Sequence, residues 1–340
     1  MDIKTAIAQL SNKQDLSATD MTVLMRDIMT GGVTDAQIAA FLVTLQLKGV
    51  CAEELLGAAK VMRELATAVQ VDDKTHLVDT CGTGGTGTNT FNISTASAMV
   101  AACAGARVAK HGNRGATSKS GSADLLEAAG VTLTLTPEQV AKCIEQVGVG
   151  FMFAPGHHSA MKHVIGARKE IGIPTIFNLL GPLTNPAGAP NQVLGVNNAK
   201  WIEPMLKVLL SLGGQHVLIV AADDGLDEIS ISAATQVGEL RDGEITRYSI
   251  TPEDFGIERR EGIAMLQVND AHESLALVRK ALRYEDVACG DIVALNAGAA
   301  IYAANVVGSI AEGVQRAQEI LRTGAAMEKL EQLAQYSESL

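Results

Sequence analysis

Four glycines lie within six residues in the segment Gly82-Thr-Gly-Gly-Thr-Gly87, after an apolar strand-like run and before a helix-like one. Glycines let backbone N–H groups approach an anion closely, and hydroxyl groups and a helix N-terminus add further donors and a favourable dipole. Side chains of this kind follow at once: Thr88, Asn89, Thr90, Asn92, Ser94 and Thr95. The segment therefore predicts a site for a polyanion.

The same glycines satisfy the dinucleotide-binding pattern G-x-G-x-x-G, so a nicotinamide or flavin cofactor has to be considered. That pattern requires an acidic residue about 20 residues further on, at the end of the second strand. Here the second strand ends in the basic run Lys110-His-Gly-Asn-Arg114. A nucleotide P-loop would need a lysine after Gly87, where this chain has Thr88. We therefore expect the glycines to bind a phosphate of another kind.

A second polar cluster runs from Lys110 to Ser122, between the second strand and a helix. The carboxyl ends of parallel strands meet at one edge of a sheet, so this cluster is expected beside the glycine segment. Taken alone, it also fits a solvated basic loop. Its cations and hydroxyl donors are Lys110, Arg114, Lys119, Ser118, Ser120 and Ser122.

A third cluster, Ala222 to Ser230, is rich in carboxylates and follows the apolar run 216–222. Carboxylates beside phosphate donors suit Mg²⁺, which binds through one or two carboxylates plus ligand phosphates. An acidic surface turn is the alternative for this loop alone. The carboxylates are Asp223, Asp224, Asp227 and Glu228.

The elements that must position these clusters change in character along the chain. Residues 1 to about 70 predict helices only, and from His76 onward strand-like and helix-like segments alternate. This alternation predicts an α/β protein: a small N-terminal helical domain plus a larger α/β domain with a mainly parallel central sheet flanked by helices. Strands are expected at 76–79, 107–110, 131–135, 149–154 and 216–222.

Local signals add detail to this scheme. Thr136-Pro-Glu-Gln139 combines a helix cap, a proline at the first helical position and a capping-box glutamine. The Asp242-Gly243 turn between β-prone runs predicts a hairpin over 239–250, and the chain is expected to be helical again from His272. Further helices are expected at 94–105 and 122–130.

Composition limits the classes of function. The net charge of −11 over 340 residues argues against a nucleic-acid or anionic-membrane surface, and no apolar run reaches membrane-spanning length. The five cysteines are dispersed without a C-x-x-C pair, which fits reduced thiols in a cytoplasmic protein. His157, His158 and His163 do not form the H-E-x-x-H pattern of a zinc site.

Together the clusters resemble the anthranilate phosphoribosyltransferases of tryptophan biosynthesis, and the resemblance covers almost the whole chain. The segments that carry it are "GTGGTGTNTFNIST", "AKHGNRGATSKSGSADLLEAAG", "FMFAPGHHSAMKHVIGARKEIGIPTIFNLLGPLTNP" and "GLDEIS". The resemblance implies that the amino group of anthranilate attacks C1 of phosphoribosyl pyrophosphate, which releases pyrophosphate and forms N-(5-phosphoribosyl)anthranilate.

The resemblance also implies one or two Mg²⁺ ions and a homodimer formed through the helical domain. The helical domain would comprise 1–70 with a returning segment at about 160–190, and the α/β domain would comprise 75–159 and 191–340. The donor would bind in the cleft between them.

Residue roles follow from the resemblance. Donor binding falls to Gly82, Gly84, Gly85, Thr86, Thr90, Asn92, Ile93, Ser94, Thr95, Lys110, Asn113, Arg114, Gly115, Ala116, Thr117, Ser118 and Ser122. The acceptor would contact Gly82, His111, Asn113, Arg168, Gly181 and Pro182. Metal binding would fall to Ser94, Asp227 and Glu228.

Catalysis is expected to be electrostatic and positional, since an aniline nitrogen is neutral at pH 7 and already nucleophilic. His111 is the side chain to consider as a base, and packing beside the acceptor ring is its alternative role. Two departures from the family stand out: Thr86 replaces a usual aspartate, and Ser159 replaces a common proline. Thr86 carries no charge, so this position lacks the carboxylate through which the family could contact a metal.

Two other functions stay open from the residues. A pyrimidine nucleoside phosphorylase shares this architecture, but it would bind free phosphate and a nucleoside. A catalytically silent binder of phosphoribosyl metabolites would keep the fold. Asn113, Arg168 and the run "NLLGPLTNP" favour the anthranilate interpretation over the first, and the joint presence of Asp227, Glu228 and Arg168 weighs against the second.

Overall fold

The structure is a computed structural model, and it describes residues 1–115 and 118–340. The chain begins with four helices, as the sequence predicts. Asp2, Ser17 and Thr34 cap the first three by accepting backbone N–H groups of the first turn. The helices are α1 (Ile3–Ser11), α2 (Ala18–Met29), α3 (Asp35–Lys48) and α4 (Ala52–Leu65).

The remainder of the chain forms a seven-stranded sheet in the order β3-β2-β1-β4-β5-β6-β7. The pairs among the first five strands are parallel, and β6 and β7 add an antiparallel edge. The expected hairpin is confirmed, with Asp242 and Gly243 at φ 53° and 83° in its turn. The strands are β1 (Leu77–Gly82), β2 (Arg107–Gly112), β3 (Val149–Phe153), β4 (Asn191–Gly195), β5 (His216–Ala222), β6 (Thr235–Arg241) and β7 (Glu244–Ile250).

Helices follow β1 and β2, so both polar loops open into a helix N-terminus. The predicted cap at Thr136 is confirmed: its hydroxyl accepts the Gln139 N–H, and Gln139 Oε1 accepts the Thr136 N–H at 2.8 Å. These helices are α5 (Ile93–Cys103), α6 (Ser122–Ala128) and α7 (Pro137–Val147).

Three short helices lie between β3 and β4. Val164, Ala167 and Ile176 from this segment are buried in one apolar core with side chains of the first four helices. The chain thus packs this segment on the N-terminal helices before it re-enters the sheet at β4. The helices are α8 (Ala154–His157), α9 (Ile165–Ile171) and α10 (Phe177–Leu180).

Helices cover both faces of the sheet, as expected. On β5, Val217 and Ile219 belong to the core shared with the N-terminal helices, whereas Leu218 and Val220 belong to the opposite core. The remaining helices are α11 (Ile202–Ser211), α12 (Ala271–Leu282), α13 (Val287–Ala303), α14 (Ile310–Thr323) and α15 (Ala325–Glu338). Among the described residues no single helix is both long and apolar enough to cross a membrane; only α12 and α13 together pass that test, and they are bent by 79°.

Two strand predictions need correction. The segment 131–135 is not a strand: Val131 and Leu133 are buried as loop side chains, and the Thr132 N–H donates to Ser337 Oγ of α15 at 3.0 Å. Its alternating apolar pattern reflects packing under a helix rather than pairing with a strand. Conversely, β4 is not among the strands expected from the sequence, because its first two residues are the polar Asn191 and Gln192. Both are buried and bonded to backbone carbonyls of neighbouring segments.

Candidate active site

The three polar clusters meet at the carboxyl edge of the sheet, around a cavity of about 300 Å³. Asn178 of α10 also lines it, although the sequence analysis gave this residue no role. The predicted residues that line the cavity are Gly82, Gly84, Gly85, Thr86, Thr90, Asn92, Ile93, Ser94, Lys110, His111, Asn113, Arg114, Gly115, Ser118, Ser122, Asp227 and Glu228. Four others, Thr95, Arg168, Gly181 and Pro182, lie outside its described lining, and the predictions for Ala116 and Thr117 fall outside the described residues.

The glycines of the first loop are required for two different reasons. Gly84, Gly85 and Gly87 have φ of 64°, 75° and 71°, a conformation that costs other residues about 1 kcal/mol or more. Gly82 has ordinary φ but no room: a Cβ there would lie 3.1 Å from Asp227 Cγ and nearer still to Oδ2. The loop therefore turns its backbone toward the cavity and packs directly on the acidic loop.

The carboxylates of the third cluster separate into two roles. Asp224 accepts the hydroxyls of Ser230 and Ser232 and so shapes its own loop. Asp227 Oδ2 accepts the Gly84 N–H at 2.9 Å, which joins the acidic loop to the glycine loop. Burial raises the pKa of Asp227, and burial together with Asp227 raises that of Glu228 to about 8. Two adjacent, enclosed carboxylates of this kind are hard oxygen donors that a divalent cation would stabilise in the ionised form.

Lys110 is a buried cation at the base of the cavity. Its ammonium group donates to the Thr80 carbonyl and to Ser94 Oγ, the latter at 3.2 Å. Burial lowers the pKa of Lys110, and the negative charge of Asp79 acts in the opposite direction. Asp79, which the sequence analysis did not single out, accepts the His111 N–H at 3.2 Å. Lys110 thus holds positive charge beneath the loops without a close ion pair of its own on the described residues.

Arg114 is held by acids of the helix that follows. Its guanidinium donates to Asp124 at 3.0 Å and to Glu127 at 2.7 and 2.9 Å, and these partners raise its pKa. Asp124 Oδ2 also accepts the N–H groups of Gly115 and Gly121, both at 2.9 Å. Asp124 therefore closes the base of the second loop, a role that only its position at the start of a helix could have suggested.

Asn92 connects the glycine loop to the second polar loop. Its Oδ1 accepts the hydroxyls of Ser120 and Ser274, both at 2.7 Å, and its Nδ2 donates to the Ser120 carbonyl at 3.2 Å. Ser274 belongs to α12 and has no counterpart among the sequence predictions. A lone serine within a helical pattern offers no signal in the sequence, because its partner lies 182 residues away.

Two buried histidines form one wall near the second loop. The rings of His111 and His158 lie 5.1 Å apart, and Nε2 of each is buried without a hydrogen-bond partner in the described structure. Burial lowers the pKa of His111 to about 3 and that of His158 to about 4. The nearby backbone of Gly181 slightly opposes the shift at His111. Both rings are therefore neutral at pH 7.

Arg168 lies on α9 with its guanidinium 5.1 Å from the centre of the Phe177 ring. Burial lowers its pKa without removing its charge at neutral pH. Pro182 is buried, and its carbonyl accepts the Gln192 side chain at 2.8 Å. Ser159 opens a short 3₁₀ turn that leads into α9.

A second set of close ionisable groups occurs in the N-terminal helices. Ligand atoms of Asp15, Cys51 and Glu54 all lie within 4.8 Å of one another. The Lys48 ammonium already sits among them, 2.9 Å from Glu54 Oε1. This arrangement is a buried ion pair that joins α3 to α4.

Comparison with known proteins identifies the family of the chain. A family model described as the helical bundle domain of a glycosyl transferase family matches residues 4–66, and its a/b domain model matches 74–327. The chain is 58% identical over 339 residues to an anthranilate phosphoribosyltransferase of Thioalkalivibrio sulfidiphilus, covering 100% of both chains. It is 56% identical to one of Hydrogenovibrio crunogenus, covering 100% of this chain and 99% of the relative.

Solved structures give the same result. The anthranilate phosphoribosyltransferase of Thermus thermophilus superposes with a TM-score of 0.91 at 42% identity, covering 98% of this chain and 99% of the other. The enzyme of Saccharomyces cerevisiae in complex with PRPP and Mg superposes with a TM-score of 0.90 at 26% identity, covering 99% and 98%. The chain therefore belongs to this glycosyl transferase family and, within it, to the anthranilate phosphoribosyltransferases.

Proposed function

We propose that this chain transfers the 5-phosphoribosyl group of phosphoribosyl pyrophosphate to the amino group of anthranilate, yielding N-(5-phosphoribosyl)anthranilate and pyrophosphate. The observation that carries the proposal is the shared cavity, which brings a glycine cradle, a buried lysine and a carboxylate pair to one sheet edge. As the C1–O bond breaks, negative charge develops on pyrophosphate and positive charge on the ribosyl centre. Fixed hydrogen-bond donors stabilise the negative charge on pyrophosphate, and the amine held close to the ribosyl centre is placed to attack it. Both effects lower the barrier.

The donor would occupy the cavity with its pyrophosphate against the glycine loop. The backbone N–H of Gly85 and the hydroxyls of Thr90 and Ser94 would supply hydrogen bonds to phosphate oxygens, whereas the N–H groups of Thr83 and Gly84 already donate to the Gly195 carbonyl and to Asp227 Oδ2. Lys110 supplies positive charge from below. Gly115, Ser118 and the other predicted residues of the second loop would hold the ribose and its 5-phosphate, since that loop forms the facing wall.

Asp227 and Glu228, with Ser94, are proposed to hold Mg²⁺. Their oxygen donors and raised pKa values fit a divalent cation, because an ion would offset the cost of ionising both enclosed carboxylates. When bound, Mg²⁺ would neutralise pyrophosphate charge. We propose one or two ions. Thr86 bonds to Thr88 Oγ1 at 2.8 Å and offers no carboxylate at its position.

Anthranilate is proposed to lie between the second loop and α9. Arg168 would pair with its carboxylate, while Asn113 and the Gly181–Pro182 turn would bound its ring. A ring nitrogen with a pKa near 3 is a weak base, so we propose that His111 packs beside the acceptor rather than removing a proton. The amino group of anthranilate is neutral before it reacts, so no base is needed to prepare it for attack.

We further propose that the protein is cytoplasmic and forms a homodimer. Its helical domain would comprise 1–70 with a returning segment at about 160–190, and its α/β domain would comprise 75–159 and 191–340. Val23 and Leu47 expose 48% and 78% of their surface on α2 and α3, so a second copy would cover apolar area there. All five cysteines are free thiols, which suits a reducing compartment. Light scattering during gel filtration tests the dimer, and a mass of one chain would contradict it.

The enzymatic proposal is tested with anthranilate, phosphoribosyl pyrophosphate and Mg²⁺, by following the loss of anthranilate fluorescence. The expected result is loss that requires the donor and the metal. A parallel reaction with pyrimidine nucleosides and inorganic phosphate tests the phosphorylase alternative. Phosphorolysis without loss of anthranilate would overturn the proposal, and donor binding without either reaction would indicate a silent binder.

A further inference from the structure

The far half of the glycine loop is fastened to a segment distant in the chain. Three hydrogen bonds join 88–91 to 266–268: Phe91 N–H to the Leu266 carbonyl at 2.8 Å, Val268 N–H to the Asn89 carbonyl at 2.8 Å, and Gln267 Nε2 to the Thr88 carbonyl at 3.0 Å. We call residues 266–274, which continue into the first turn of α12, the brace. The brace is bonded to the loop's backbone, so it acts on loop conformation rather than on one side chain.

Ser274 ends the brace beside the start of α5. Its hydroxyl is fully buried, accepts the Asn92 N–H at 3.1 Å and donates to Asn92 Oδ1 at 2.7 Å. The same Oδ1 accepts Ser120 Oγ of the second loop at 2.7 Å. The Asn92 carboxamide oxygen therefore accepts one hydrogen bond from a hydroxyl of the brace and one from a hydroxyl of the second loop. These two bonds fix the distance between the two phosphate loops.

We propose that Ser274 is a positioning residue for the donor: it orients Asn92 and thereby presets the spacing of the two phosphate loops. The inference rests on the proposed function. Glycine-rich loops have large conformational freedom, so ordering them when the ligand binds would weaken affinity. The brace imposes that order during folding. Ser274 is not among the described residues that line the cavity, and its hydroxyl is bonded to Asn92.

This arrangement predicts a selective defect. Without the hydroxyl, the Asn92 N–H loses its partner and Oδ1 keeps only Ser120, so the two loops are no longer held in register. We expect Ser274→Ala to raise the KM of phosphoribosyl pyrophosphate about tenfold, the loss expected for one buried hydrogen-bonding group. The KM of anthranilate should change less than about twofold, because no bond to α9 or α10 is altered.

Ser337→Ala is the matched control. Ser337 is also a buried serine that accepts a backbone N–H, from Thr132 at 3.0 Å, and donates to a carbonyl, that of Ala334 at 2.9 Å. It lies on α15, outside the cavity lining. Both variants should lose similar thermal stability, and only Ser274→Ala should change the donor KM. Ser274→Thr, which keeps the hydroxyl, should recover most of the donor KM.

The second loop provides an independent arm of the experiment. Ser120→Ala removes the other hydroxyl from Asn92 Oδ1 and leaves α12 unchanged, so it tests the proposal even if Ser274→Ala does not fold. It should also raise the donor KM selectively. In the double variant, the increase should be smaller than the product of the single increases, because both hydroxyls anchor one carboxamide. An increase in the donor KM equal to the product of the two single increases would contradict the proposal that both hydroxyls anchor the Asn92 carboxamide.

Calorimetric titration of the donor with Mg²⁺ separates this inference from the proposed function. If the wild-type protein binds the donor but does not consume anthranilate, the proposed function fails, and the donor dissociation constant of Ser274→Ala still tests the brace. The inference is overturned if Ser274→Ala matches Ser337→Ala in donor affinity. It is also overturned if the donor and anthranilate KM values rise together.

Discussion

Replacing Gly82 with alanine should disturb the carboxylate pair without removing any functional group. The added Cβ would lie 3.1 Å from Asp227 Cγ and nearer to Oδ2, whereas ordinary contact begins at 3.4 Å. The carboxylate must turn away and so loses the Gly84 N–H that it now accepts at 2.9 Å. A hydrogen bond to a charged group contributes about 2 kcal/mol, which corresponds to about thirtyfold in binding. We therefore expect Gly82→Ala to raise the apparent dissociation constant of Mg²⁺ about thirtyfold.

The assay is a Mg²⁺ titration of initial rates at saturating substrates, read by anthranilate fluorescence. Gly308→Ala is the control, since its Cβ would also face a carboxylate, that of Glu312 at 3.4 Å, but outside the cavity lining. It should leave the Mg²⁺ constant within about twofold of wild type. If Gly82→Ala shows the same Mg²⁺ constant as Gly308→Ala, the contact between the glycine loop and Asp227 does not position the metal site.

Three further predictions concern the acceptor, the metal and pH. Arg168→Ala should raise the KM of anthranilate by about tenfold or more and leave the donor KM nearly unchanged, because it removes the charge that we propose to pair with the acceptor carboxylate. Asp227→Asn with Glu228→Gln should abolish activity at low Mg²⁺, measured as the rate across a metal titration. His111 and His158 have pKa values of about 3 and about 4, below the ordinary 6.5, so the unfolded chain binds their protons first as the pH falls. The free energy of unfolding should therefore be nearly constant above about pH 7.5 and fall by about 1 kcal/mol per histidine between pH 6.5 and 5.5, as measured by urea denaturation.

Each of these has a distinguishing control. Lys169→Ala removes an exposed neighbouring charge and should leave both KM values near wild type; equal effects of Arg168→Ala on both substrates would remove Arg168 from the acceptor site. An unchanged Mg²⁺ requirement in the double carboxamide variant would count against the metal assignment. His158→Gln should reduce the loss of stability between pH 6.5 and 5.5 by about half. If His158→Gln loses as much free energy of unfolding between pH 6.5 and 5.5 as the wild type does, His158 titrates normally in the folded protein.

Much of the fold follows from local patterns. The capping box at Thr136 and the Asp242-Gly243 turn are signals within four residues, and both are confirmed. The two errors have a common cause. The run 131–135 alternates like a strand but is bonded to Ser337, and β4 begins with buried Asn191 and Gln192. In both places contacts from remote parts of the chain override the local pattern.

The residues of the site also fall into two groups, those that local sequence patterns predict and those that only the folded structure reveals. The three clusters could be placed together because carboxyl ends of parallel strands share an edge, and the cavity joins them there. The residues that hold the clusters in shape could not be predicted. Asp79, Asp124 and Ser274 act through hydrogen bonds to backbone N–H groups of the site, and such pairings depend on the folded geometry. The sequence thus indicated most of the polar groups that line the cavity, whereas the structure adds the groups that orient them.

The most direct test of the account is the stoichiometry of pyrophosphate release, since it measures the bond that the cavity is proposed to break. Purified protein with phosphoribosyl pyrophosphate and Mg²⁺ should release one pyrophosphate for each anthranilate consumed, and almost none when anthranilate is absent. Anthranilate left intact while the protein cleaves pyrimidine nucleosides with inorganic phosphate would contradict the account.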